Sequence, residues 1–138
     1  MINITKETSV SIDDVLHLYQ AVGWTNYTNQ PQMLEQSLAH SLAIYVARDG
    51  EGIVGLVRLV GDGFSSVFVQ DLIVLPSYQR QGIGSDLMKE ALGDYKDAYQ
   101  VQLATDQTEK TLGFYRSLGF ETLSTYDCTG MIWVDRKK

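Results

Sequence analysis

The residues of this chain best suited to holding an anion are Gln79-Arg80-Gln81-Gly82-Ile83-Gly84, set between an apolar, β-branched run and an amphipathic segment. Two glycines give the backbone dihedrals closed to other residues, so consecutive amide N–H groups can converge on one phosphate. A helix starting there adds its positive end. Two better-known phosphate motifs do not fit. Leu87 stands where a dinucleotide fingerprint has its third glycine or alanine, and there is no Gly-Lys-Ser/Thr. Nucleophile and metal chemistry find little support. The single cysteine, Cys128, excludes an internal disulfide and a multi-cysteine metal site, and His17 and His40 lack metal-ligand spacing, so no metal is expected.

The elements that must position the cradle are legible on both sides. After it, Ile83, Leu87, Met88, Ala91, Leu92 and Tyr95 form one apolar stripe of a helix. Before it, Val67, Phe68, Val69, Leu72, Ile73, Val74 and Leu75 read as a buried strand, broken by Gln70 and Asp71 and stopped by Pro76. Further upstream, Ile2 and Ile4 suggest a first strand, and Ser11-Ile12-Asp13-Asp14 starts a helix ended by Gly23. Pro31 opens a second helix; residues 42–48 and 53–60 read as strands joined by Asp49-Gly50-Glu51-Gly52. Downstream come a strand over 99–104, a helix over 108–118, and two closing strands around 121–126 and 131–134. The order β-α-α-β-β-β-α-β-α-β-β predicts a mixed α/β fold around one sheet.

Composition sets the class. A chain of 138 residues with 44% hydrophobic and 20% charged content suits one domain over residues 1–138 with a sizeable core. A net charge of −6 argues against nucleic acid as the main ligand. No apolar run reaches the ~20 residues that span a bilayer and no signal-peptide pattern opens the chain, so no membrane association and a cytoplasmic location are expected.

Gln79-x-x-Gly82-x-Gly84 after Asp71-Leu72-Ile73-Val74-Leu75-Pro76, with Gly113-Phe114-Tyr115-Arg116-Ser117-Leu118-Gly119-Phe120-Glu121 downstream, resembles the GCN5-related N-acetyltransferases (GNAT). The resemblance covers residues 64–121. It implies a single acetyltransferase domain with a splayed central sheet and acetyl-coenzyme A as the acyl donor. Pantetheine would lie in the wedge, bonded by the backbone of Ile73 and Val74. Gln79, Arg80, Gln81, Gly82, Ile83, Gly84 and Ser85 would serve the pyrophosphate. Many members carry an asparagine and an alanine where this chain has Thr108 and Thr111; Thr108 can still cap its helix or touch the cofactor through its hydroxyl.

The implied reaction is direct transfer of acetyl to a primary amine in a ternary complex. An alkyl ammonium must lose a proton before attack, and the leaving thiolate takes one up. Tyr115 sits where the family places the proton donor, although Leu112, Tyr115 and Leu118 would also pack as one stripe. Asp71, an acid within an apolar strand, is a candidate base or water-orienting group. If it points away from the substrate, Gln70 or a water chain takes that role and Asp71 is structural. Trp24 and Tyr27 are candidate acceptor-binding aromatics, for a small-molecule amine or a protein amine. The alternatives are transfer of a different acyl group and a non-catalytic acetyl-coenzyme A sensor. The last two strands offer edges for a homodimer.

Overall fold

The computed structural model describes residues 1–135 of the chain, which divides into two compact units, residues 1–103 and residues 104 onward. The first unit holds β1 (Ile2–Glu7), α1 (Ile12–Ala21), α2 (Thr25–Thr28), α3 (Pro31–Ala39), β2 (Ala43–Asp49), β3 (Gly52–Gly61), β4 (Ser66–Val74), α4 (Ile83–Asp94) and β5 (Gln100–Leu103). The five strands lie in sequence order in one sheet; β1 to β4 run antiparallel and β5 lies parallel to β4. The parallel step requires a crossover, and α4 supplies it.

The helices divide between the two faces because the strands alternate. Ile44, Val46, Leu56 and Ile73 point one way and form a core with Val15, Leu18 and Tyr19 of α1, Tyr27 of α2, and Leu34 and Leu38 of α3. On the opposite face α4 buries Ile83, Leu87, Met88 and Ala91. Gly55 sets how closely α4 approaches. A Cβ there would lie 3.2 Å from both the Leu87 Cδ1 and the Ile73 carbonyl, so its absence admits the first turns of α4 against the sheet.

One irregularity in β4 governs the site. Leu59 pairs with Val69 and Arg58 pairs with Asp71, which leaves Gln70 as an extra residue on β4. A bulge of this kind bends its strand and raises the local twist. β5 pairs only with Ser66 to Val69, so β4 runs on to Val74 without it from the bulge onward.

The second unit holds α5 (Glu109–Ser117) and a single-turn 3-10 helix, Leu123–Tyr126. The closing strand expected at 121–126 is therefore a helical turn. Thr122 Oγ1 lies within hydrogen-bonding reach of the Ser124 and Thr125 hydroxyls, and Thr125 and Asp127 donate to the Thr122 and Ser124 carbonyls. Such local bonds satisfy the backbone without a ladder. No strand forms at 131–134 either; Met131, Ile132, Trp133 and Val134 are exposed there.

Candidate active site

The strand edge is the first component. Beyond Val69 the side of β4 that faced β5 has no strand against it, so backbone groups near Leu72 to Val74 need another partner or water. Ile73 keeps its side chain in the core while its main chain lies along this stretch. Val74 is partly committed, because its carbonyl accepts from Gln79 Nε2 at 3.0 Å. Gln79 thus braces the loop against the strand end.

The cradle follows. A 3-10 turn over Pro76–Tyr78 is tied to the end of β2 by the Tyr78 hydroxyl, which donates to Asp49 at 2.6 Å. Arg80 (φ 66°) and Gly82 (φ 82°) are both left-handed, and Gly82 is the N-cap of α4. For glycine that conformation is free, whereas for arginine it is strained, and strain of this kind gathers at functional sites. A Cβ built on Gly82 would meet open space, so the loop is open over the helix end. The N–H groups of Ile83, Gly84 and Ser85 belong to the first turn of α4 and have no acceptor within the helix. Arg80 and Gln81 are exposed, and Arg80 forms no ion pair among the described residues.

Asp71 is 2% exposed and both its carboxylate oxygens are hydrogen-bonded. Oδ2 accepts from the Tyr19 hydroxyl at 2.8 Å and Arg58 Nε at 2.7 Å, and Oδ1 accepts from the Tyr27 hydroxyl at 2.9 Å. Burial and the Asp71 charge raise the pKa of both phenols, so they stay protonated as donors. Burial pulls the Arg58 guanidinium down, but Asp71 outweighs it and the arginine stays charged. The acid read as a candidate base is thus the anchor of a buried network that ties α1 and α2 to β3 and β4. Correspondingly, the Tyr27 hydroxyl is spent on Asp71, and Trp24 packs its ring 6.1 Å from Tyr19 and 6.3 Å from Tyr27 as a cover of the core. Tyr27 also lines a cleft on this face.

A cleft of about 420 Å³ opens on this face, with Arg58 and Gln70 on its sheet side and Tyr27, Met33 and Ser37 on its helix side. Strand alternation would put Gln70 and Asp71 on opposite faces. The bulge puts both on this one, Asp71 buried and Gln70 exposed. Arg58, the network's cation, carries no motif in the sequence; a lone arginine in an otherwise apolar strand was the signal available for it.

In the second unit Thr108 is the N-cap of α5, its Oγ1 accepting from the Thr111 N–H at 3.3 Å and donating to Asp106 at 2.8 Å. The cap half of the expectation is met, and the hydroxyl is committed to it. The α5 C-terminus explains the Leu118-Gly119-Phe120 sequence. Gly119 (φ 101°) reverses the chain, its N–H donates to Arg116, and the Phe120 N–H donates to the Tyr115 carbonyl. Phe120 returns to within 5.9 Å of the Tyr115 ring, and Phe114 lies 5.0 Å away on its other contact. Burial, then the Asp106 carboxylate, raise the Tyr115 pKa, so the phenol holds its proton well past neutrality. Cys128 is exposed, and the rings of His17 and His40 each contact a backbone carbonyl, of Ile53 and Gln36.

The sheet thus loses its β4–β5 pairing after the bulge, and a loop with two left-handed residues leads into the crossover helix. The model of the acetyltransferase (GNAT) domain matches residues 40–122, and the chain belongs to that family. A GNAT-family acetyltransferase from Streptococcus pneumoniae TIGR4 is 74% identical, with a TM-score of 0.92 and 99% of each chain covered. At 18% identity and a TM-score of 0.68, the fold is shared with a PaiA N-acetyltransferase from Thermoplasma acidophilum solved in complex with coenzyme A, over 88% of this chain and 90% of that one. The rice chloroplastic serotonin N-acetyltransferase 2 is 26% identical over 82% of this chain, which spans 58% of that relative's length.

Proposed function

We propose that this chain transfers the acetyl group of acetyl-coenzyme A directly to a primary amine in a ternary complex. The observation that carries the reading is the departure of β4 from β5 at Gln70, immediately upstream of a loop whose two left-handed residues open onto the N-terminus of α4. An elongated pantetheine suits the first and a pyrophosphate suits the second. Ile73 and Val74 offer main-chain groups to pantetheine amides; Gln81, Gly82, Ile83, Gly84 and Ser85 offer N–H groups to phosphate oxygens, with Arg80 as an exposed counter-charge. Thr108 is assigned to its cap. The family match spans residues 40–122, which supports reading the chain as an acetyltransferase domain.

The thioester supplies an activated acyl group. The amine, once deprotonated, forms the C–N bond as the C–S bond breaks, and the thiolate takes the Tyr115 proton, which solvent replaces. A phenol raised by burial is a competent donor at neutral pH. The ammonium proton leaves by water, with Gln70 positioned to orient it, since the Asp71 oxygens already accept three hydrogen bonds. The exposed apolar run Met131 to Val134 supports association of two copies.

Calorimetric titration with acetyl-coenzyme A tests the reading, with adenosine diphosphate and NAD as controls, followed by thiol release with an amine panel. Selective micromolar binding and amine-dependent release are expected. Absence of binding to folded protein would overturn the assignment; tight binding without turnover of any amine would point to a sensor.

A further inference from the structure

The whole chain is acidic, which suggests attraction for a polycationic amine. The cleft beside Gln70 has a different character. Its polar lining is Asn26, Ser37, His40, Gln70 and Arg58, with an apolar wall of Tyr27, Met33 and Val60, and no carboxylate lines it. The nearest acid to Arg58, Asp71, lies behind the guanidinium rather than in the cleft, and both its oxygens are occupied. Arg58, which lines the cleft, has donors beyond the one given to Asp71. Nε serves Asp71, Nη1 serves the Ser41 hydroxyl at 3.2 Å and the Ser37 carbonyl at 3.4 Å, and Nη2 serves the Tyr27 hydroxyl at 3.2 Å. A guanidinium has five N–H groups, so one on Nη2 is left over beside the cleft.

We infer that this cleft takes the acceptor, and that the acceptor carries a carboxylate beside its amine, with its apolar part against Met33 and Val60. The inference rests on the acetyltransferase reading. Gln70 joins the two sites, because it is both the residue at which β4 leaves β5 and part of the cleft lining. A polyamine placed here would meet a guanidinium already paired with Asp71 and neutral dipoles, with no carboxylate in the lining to receive its own charges. A zwitterionic amine meets a donor for its carboxylate and apolar surface for its body.

The test compares pairs that differ only in the carboxylate: phenylalanine against phenethylamine, and leucine against isopentylamine, with spermidine as a polycation. Coenzyme A release at pH 7.5 gives kcat/KM, and calorimetry on coenzyme A-loaded protein gives affinity independently of turnover. The carboxylated member of each pair is expected to win by tenfold or more in both. Met33→Glu, at a position 37% exposed on α3 and so tolerant of charge, plants a carboxylate in the cleft and should cut that preference at least tenfold. Equal or better use of phenethylamine or spermidine, or a preference unchanged in Met33→Glu, overturns the inference and leaves acetyl transfer standing. Binding of phenylalanine over phenethylamine without turnover of either would support the cleft assignment and sink the catalytic reading.

Discussion

Arg58 and Asp71 face each other in direct register across β3 and β4, Nε to Oδ2 at 2.7 Å, with both side chains at least 95% buried. Two hydroxyls from α1 and α2 complete the carboxylate's coordination. A charge placed this way holds layers together.

Asp71→Asn therefore acts on stability before it acts on rate. Removing one partner of a buried pair leaves the other uncompensated, which costs about 3–5 kcal/mol, against ~1 kcal/mol for a neutral hydrogen bond. Urea unfolding should show that loss, while acetyl transfer per folded molecule stays within about threefold and the acid limb of the pH–rate profile does not move. A displaced acid limb in the folded variant would return Asp71 to the role of proton acceptor.

Arg80 sets a stability cost against a charge. Its left-handed φ of 66° is one that glycine adopts freely, so Arg80→Gly should raise stability by up to about 1 kcal/mol. The same change removes the loop's cation and should weaken coenzyme A binding several-fold, with a shallower salt dependence. Unchanged affinity across salt concentrations would show that the guanidinium serves solvent alone.

Tyr115→Phe retains the ring packed between Phe114 and Phe120 and removes only the hydroxyl. Turnover should fall by about 10²- to 10⁴-fold with coenzyme A affinity little changed. In the parent protein the alkaline limb should lie above the ordinary phenol value of about 10, because burial and Asp106 hold the proton on. A normal rate in the variant would reduce Tyr115 to packing.

Acid should destabilise the fold through a few identifiable carboxylates. Glu7 is lowered chiefly by its bond to Arg48, Asp62 by the Ser65 hydroxyl and the N–H groups of Phe64, Ser66 and Ser65, and Asp106 by Thr108. The unfolded chain binds protons at these groups at higher pH than the folded one. Their stabilisation is therefore complete only above about pH 5 to 6 and drains away as pH falls through the lowered values. Asp62→Ala should lower Tm at pH 7, with the gap to the parent closing below pH 4. A constant gap would mean that the turn is held by something other than the carboxylate charge.

Most of the sheet could be read from alternation and turn residues, and the cradle from two glycines ahead of an apolar stripe. Thr108 as a cap and the helix over 108–118 were legible for the same reason: the chemistry is local. What could not be read depends on contacts distant in sequence. Asp71 finds Tyr19 and Tyr27, 52 and 44 residues away, and no pattern around it announces them. Residues 24–29 hide a single helical turn because its Trp24 and Tyr27 contacts, rather than helix propensity, hold it. The closing strands failed where Thr122, Ser124 and Thr125 offered the backbone a nearer set of partners.

Gln70 is the one residue of β4 that the sheet does not need. With it deleted, Val69 and Asp71 become neighbours and still pair with Leu59 and Arg58, so every other side chain keeps its present partner and face. What disappears is the excess length that turns β4 away from β5. A single-codon deletion should thus yield a folded, tighter protein whose fifth strand zips further along the fourth and which no longer binds coenzyme A. Seen this way, the opening is an indel: the distance between a closed sheet and an open one is one amino acid.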